Sequence, residues 1–240
     1  MNKHLHLYVI IAASFMFSRE TWALECKWWQ IKVKDSRIPQ HQRKGHKVSK
    51  HPRKEHCRER WKGSDRYIHQ FKDDPIQGWD KKGETFKKWS RGEIQAVLEV
   101  LPNLPTWAQI ENYTFRRADK SIHEANPATS ELTKKIIVLY DIFSTYKDKL
   151  GAIGHEASHF VFQELTNLEI TEFEKLSGWE IVIKDRKVYV VPPENLLMPD
   201  SAINNEEDFT NHAEMYISDP VKLKKTNPKI YEFFLKRFPK

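Results

Sequence analysis

His155-Glu156-Ala-Ser-His159 can aim its two imidazoles at one point only if the backbone around it is helical. At 3.6 residues per turn, positions 155 and 159 stand one above the other, and Glu156, about 100° round the axis, borders the same space. Two imidazoles with an adjacent carboxylate are the groups needed to hold a zinc ion (Zn2+) and to take a proton from water beside it. Two imidazoles leave zinc short of ligands, so a third protein group must arrive from elsewhere and one position must stay open to water. Ile153, Phe160, Val161 and Leu165 supply an apolar face that predicts a helix over about 150–165, laid against a core.

The N-terminus has a different character. Residues 1–23 have the form of a secretory signal peptide, with Lys3, an apolar run from Leu7 to Phe17, and Thr21-Trp22-Ala23 as a small-x-small cleavage site. That run is too short to span a bilayer and no later stretch is longer, so the expectation is a secreted or periplasmic protein without a transmembrane segment. Cys26 and Cys57 are the only cysteines in 240 residues. In an oxidising compartment they are expected to pair, tying a loop into an N-terminal arm at 24–63.

The arm is strongly basic. Between Lys27 and Lys62 there are 13 Lys and Arg against Asp35, Glu55 and Glu59, in a chain whose net charge is +7. It carries an echo, His41-Gln-Arg43-Lys44-Gly45-His46 returning as His51-Pro-Arg53-Lys54-Glu55-His56. With so few apolar residues it builds no core of its own. Its charge points to an anionic polymer as partner, with Trp28, Trp29 and Trp61 available for stacking, or to a solvated basic face beside the domain.

Residues 64–240 are long enough for one domain with a real core. From Ser64 to Trp89 the composition suggests loops packed by aromatic side chains. Ser90-Arg-Gly-Glu93 is a capping box opening a helix that carries Ile94, Val97, Leu98 and Leu101 and stops at Pro102. Trp107 to Arg117 has the alternation of a strand, and the β-branched run 135–140 suits a buried or edge strand. In zinc peptidases a strand beside the metal pairs with the extended substrate, a role that here falls to Ile137, Val138, Leu139 and Tyr140. A short helix at 169–176 closed by Gly178, a hairpin of 179–183 with 187–191, a helix over about 206–218 and a last helix capped by Asn227 complete the chain.

The third ligand is sought on the helix beginning near Glu206, where Glu206, Glu207, Asp208, His212 and Glu214 are all candidates. A histidine six residues after His159 is excluded, because Leu165 stands there and Phe162 occupies the place of the required glycine.

Gly154-His155-Glu-Ala-Ser-His159, then Asn204-Asn-Glu-Glu207-Asp-Phe209, Glu214-Met-Tyr216-Ile-Ser-Asp219-Pro220 and Asn227-Pro-Lys-Ile-Tyr-Glu-Phe-Phe resemble the gluzincins related to the anthrax lethal factor catalytic domain. The resemblance covers roughly residues 100–240. It implies an α+β, zincin-like metallopeptidase domain: a small sheet with an edge strand beside the motif helix, and a C-terminal helical part that supplies Glu207 as third zinc ligand. The family's second acid, one turn after that ligand, is replaced by Asn211, an amide that can still hold a metal-bound histidine by hydrogen bond. No tyrosine occurs between Val190 and Glu207, where the family's transition-state tyrosine sits; Tyr189, Tyr216 and His212 are the substitutes to consider.

The expected activity is zinc-dependent hydrolysis of a peptide or protein substrate, with Glu156 as the proton-transferring group. The competing expectation is a cell-envelope or anionic-polymer-binding protein with a structural or degenerate zinc site.

Overall fold

The computed structural model describes residues 26–239, apart from 29, 34–35, 39–40, 44–45, 49–50, 54–55, 60–63, 80–82, 110–112, 122, 124, 185–186 and 195. The expected signal peptide lies outside the described residues. The chain divides into two units, Met1–Arg58 and Glu59–Lys240. Among the described residues no helix is long and apolar enough to cross a membrane.

Among its described residues the first unit holds three two-stranded pairings where the sequence suggested only a loop. β1 (Gln30–Val33) pairs with β6 (His56–Glu59), β2 (Ser36–Ile38) with β5 (His51–Arg53), and β3 (His41–Arg43) with β4 (His46–Val48). The pairs nest in one register, from Ser36 opposite Arg53 to Arg43 opposite His46. A ladder of backbone hydrogen bonds needs no buried core, which is how a chain so poor in apolar residues takes regular form. Cys26 and Cys57 are joined in a disulfide, linking the segment just before β1 to β6, the strand that pairs with β1.

The second unit is mixed α and β. After a short α1 (Ser64–Tyr67), Phe71 stacks on Phe115 and meets Trp89 edge-on, so the loop-rich segment is indeed packed by its aromatics. α2 (Arg91–Val100) starts in the capping box read from the sequence: Ser90 Oγ accepts from the Glu93 amide, and the Glu93 carboxylate accepts from the Ser90 amide. The strand expected from Trp107 is shorter than its alternation implied. Thr106–Ala108 form a single 3-10 turn after Pro105, and β7 spans only Thr114–Arg117.

β7, β8 (Ala128–Glu131) and β9 (Ile136–Leu139) make a three-stranded sheet in the order β7-β9-β8, with β7 parallel and β8 antiparallel to β9. The strand of Ile137, Val138 and Leu139, continued by Tyr140, is therefore the central one. Both its hydrogen-bonding sides are taken, so it cannot receive a substrate backbone. An unbroken apolar run marks a strand covered on both faces, and all four residues of β9 are buried. The open edge belongs to the polar β8, because the outer side of β7 meets Phe71 and Phe86 in isolated bridges.

Arg117, at the end of β7, ties this sheet to its surroundings. It donates to Glu93 of α2 at 2.7 Å and also to Asp141, just beyond β9.

The C-terminal half is helical. α3 (Lys149–Gln163) packs on β8 and, more extensively, on α5 (Asn205–Ser218). Between them lie α4 (Asn167–Ser177), which ends at Gly178 with φ of +97°, and the hairpin of β10 (Glu180–Lys184) and β11 (Lys187–Val191). α4 opens in a second capping box, Thr166 with Glu169. α6 (Pro220–Thr226) and α7 (Pro228–Arg237) are capped by Asp219 and Asn227. Phe209 anchors this layer: wholly buried, its ring lies 5.1–5.3 Å from those of Phe162, Phe173 and Phe234.

Candidate metal centre

The motif helix is positioned from both ends of the interface it makes. Asp148 caps α3 by accepting from the Gly151 amide at 2.7 Å. One residue before the first histidine, a Cβ on Gly154 would stand 2.8 Å from Ile217 Cδ1 of α5. The bare backbone at Gly154 lets α5 come close enough for its side chains to reach the histidines.

Three groups converge there. His155 Nε2 lies 3.4 Å from Glu207 Oε2, and His159 Nε2 lies 3.8 Å from Glu207 Oε1. The ligand atoms of His155, His159 and Glu207 all fall within 4.8 Å of one another, an arrangement that could hold a metal ion. Glu156 is buried beside them, at 6 % exposure.

The other nitrogen of each ring is held by a second carboxylate of α5. His159 Nδ1 is 2.8 Å from Glu206 Oε1, and His155 Nδ1 is 3.3 Å from Glu214 Oε2. With each Nδ1–H donated to a carboxylate, each Nε2 is left to face Glu207. Gln163 donates to the second oxygen of Glu206 at 3.2 Å, so that carboxylate is itself held in place.

The five candidates on α5 thus sort by helical face. Glu207 faces both Nε2 atoms, and Glu206 and Glu214 hold the rings from behind. Asp208 and His212 turn the other way: the Asp208 carboxylate accepts from Trp179 Nε1 at 3.0 Å, while His212 contacts the Asp208 carbonyl oxygen through Nδ1 and lies against Phe173. Asn211 does not hold a histidine. Its amide donates to Asp200 and Ser201 at 2.8 and 2.9 Å, pinning the turn before α5, because position i+4 from Glu207 falls on the flank that faces that turn. The task given to Asn211 by sequence is carried by Glu214 at i+7 and by Glu206.

Two residues went unnoticed in the sequence. Thr210, buried at i+3 from Glu207, brings its hydroxyl to 3.3 Å from His155 Nε2, and that spacing is the signal that could have found it. Tyr146, on the turn leading into α3, has its hydroxyl pKa raised by partial burial and by the charges of Glu214 and Asp148. Tyr216 is no substitute for the family's tyrosine, since it is buried in the C-terminal core with its hydroxyl donated to the Phe238 carbonyl. The side chain of Tyr189 lies outside what is described.

The electrostatics follow from this crowding of acids. Burial works against a charge on His155, but hydrogen bonds to Glu207 and Glu214, with Glu156 close by, overcome it and raise the imidazole pKa to about 10. The hydrogen bond from His155 lowers that of Glu207 against the opposing effect of burial, with His159 adding to the lowering. Without a metal the centre is therefore a protonated imidazole paired with a carboxylate. A divalent cation would replace that proton's charge among four nearby carboxylates, Glu156, Glu206, Glu207 and Glu214.

Comparison with protein-family models, with curated proteins and with solved structures yields no match to this chain.

Proposed function

We propose that the chain is an exported zinc metallopeptidase of the gluzincin kind, with a zincin-like catalytic unit, hydrolysing peptide bonds in a peptide or protein substrate. The observation that carries this reading is the convergence of His155 Nε2, His159 Nε2 and the Glu207 carboxylate. Ligand atoms on a tetrahedral zinc at about 2.0–2.1 Å stand about 3.4 Å apart, and the separations here, 3.4 Å from His155 to one Glu207 oxygen and 3.8 Å from His159 to the other, lie near that spacing. Two imidazoles and one carboxylate are also a borderline-soft donor set that favours zinc over calcium or magnesium. Export is supported by the disulfide, which persists in oxidising compartments.

A zinc ion held by these three residues would supply Lewis acidity toward a carbonyl and lower the pKa of water toward 7. Glu156, next to His155 and buried, accepts the proton of the attacking water. As the new C–O bond forms and the C–N bond breaks, it returns that proton to the leaving amine. Glu206 and Glu214 keep both rings in the tautomer that presents Nε2. The outer edge of β8, beside α3, takes the extended substrate backbone.

The test pairs metal content with cleavage. The purified protein should carry one zinc per chain and cut a peptide library in a chelator-sensitive way. Glu156→Gln should keep the metal and lose turnover, whereas His159→Ala should lose the metal. Full activity in either variant would sink the reading.

A further inference from the structure

The last two helices carry a charged surface that the metal centre does not use. Between Asp219 and Glu232 the chain holds Lys222, Lys224, Lys225 and Lys229 and not one acid. All four lysines are exposed. Among the described residues none of them forms an ion pair, whereas Arg237 at the far end of α7 is joined to Glu169. Asp219 itself is occupied as a cap, accepting from the Lys222 amide at 3.0 Å.

At 3.6 residues per turn, α6 sets Val221, Lys222, Lys224 and Lys225 within one arc of about 160° and Leu223 on the opposite side. Burial follows that division, for Leu223 is wholly buried while Val221 is 78 % exposed. The face continues onto α7, where Lys224 Nζ lies 5.2 Å from the centre of the Tyr231 ring. Pro220, Val221, Lys224, Lys225 and Tyr231 line one shallow depression. An aliphatic side chain therefore stands out from the middle of a lysine cluster, beside a half-buried aromatic ring.

Lysines and valine together select the partner. Unpaired lysines attract any polyanion, and as point charges they favour no particular phosphate geometry. A soluble polyanion leaves Val221 in water. An anionic bilayer takes up both features, with the lysines among the headgroups and the valine at the boundary with the acyl chains. We infer that the α6 face docks on a membrane surface rich in anionic lipid, with Val221 inserted and Lys222, Lys224, Lys225 and Lys229 around it. The contact is reversible, because each lysine at such a surface strengthens binding by only about fivefold and one partly buried valine adds a factor of about the same size.

Co-sedimentation of the disulfide-bonded protein with vesicles tests this, using phosphatidylglycerol mixed with phosphatidylcholine and, separately, phosphatidylcholine alone. Binding should require the anionic lipid, weaken as salt is raised and be unchanged by chelator, so that it stands or falls apart from the peptidase reading. The N-terminal arm is basic as well, and for that reason the variants touch only α6 and α7. K222Q/K224Q/K225Q/K229Q should lose at least about tenfold in affinity, while K222R/K224R/K225R/K229R should bind like the parent. Val221→Gln leaves the charge unchanged and should lose about three- to fivefold. All of these positions are exposed, and a thermal midpoint equal to the parent's shows that each variant folds. Undiminished binding by the fourfold glutamine variant would assign the contact to the arm and overturn the inference. Undiminished binding by Val221→Gln overturns it too, as does a loss of heparin or DNA-duplex affinity in the glutamine variant that exceeds its loss of vesicle affinity.

Discussion

Glu206 and His159 are joined at 2.8 Å through Nδ1, the ring nitrogen opposite the one that faces Glu207. A carboxylate at that nitrogen fixes both the ring orientation and the tautomer, and makes the opposite nitrogen a stronger donor. Glu206→Gln should therefore lower zinc affinity by about 10- to 100-fold while leaving the fold intact, and Glu214→Gln should act likewise through His155. Competition with a chromophoric chelator reads the affinity directly. If Glu206→Ala binds zinc as tightly as the parent, Glu206 is a surface acid and no more. Restored affinity in Glu206→Asp would show that the charge, rather than the length of the side chain, is what matters.

Protons and metal compete at the same atom. The His155 pKa of about 10 in the metal-free centre lies above the ordinary value of 6.5, so its contribution to the stability of the folded protein is complete below pH 6.5 and is lost as pH rises toward 10. Glu207 has the opposite sign: its lowered pKa gives stability above the ordinary value of 4.5 that is lost as pH falls through the lowered one. Zinc must displace the proton from His155, so its affinity should rise by up to about tenfold per pH unit through neutrality. Titrations at several pH values between the two limits measure this slope, and a flat profile would contradict the pairing of His155 with Glu207.

Much of the centre was legible because it is local. The helical spacing of His155 and His159 and the caps at Ser90 and Asn227 are short-range patterns that one sequence displays in full. The acid that faces both histidines is legible only to within a segment, since Glu206, Glu207 and Glu214 share an acidic stretch and only the rotation of α5 against Gly154 decides which of them meets the two Nε2 atoms. The direction of Asn211 is hidden for the same reason, its rotation about α5 being set by packing against the turn before the helix. Sheet order is not legible in one apolar run: 135–140 suits a buried strand as well as an edge one, and the structure makes β9 the buried central strand and leaves the open edge to the inconspicuous Ala-Thr-Ser-Glu131.

Arg117 is the cation whose loss the second unit should feel most. Burial disfavours its charge, but hydrogen bonds to Asp141 and Glu93 outweigh that and raise its pKa. Arg117→Met should cost about 2 kcal/mol, below the usual range for a broken buried pair because Asp141 and Glu93 keep access to water. A urea midpoint lowered at constant slope would show it. Adding Glu93→Gln should recover part of the loss, since one stranded carboxylate is then removed; strict additivity of the two substitutions would mean that they do not interact.

The edge of β8 supplies a sharper test of substrate pairing. The Tyr140 amide donates to the Pro127 carbonyl at 3.0 Å, and this sets the alternation along the β8–β9 ladder. Thr129 and Glu131 turn their backbone groups toward β9, so Ala128 and Ser130 turn theirs outward, where the Ala128 N–H is already donated to Asn126 Oδ1 at 3.2 Å. Proline at position 130 removes an outward N–H without breaking a bond to β9, and an edge strand tolerates it. Ser130→Pro should leave thermal stability nearly unchanged and reduce kcat/KM for an extended peptide by about three- to tenfold, the worth of one net hydrogen bond. Thr129→Pro should do the reverse, lowering stability first because its N–H belongs to the ladder. Equal cleavage by the parent and Ser130→Pro would mean that substrate does not lie along this edge.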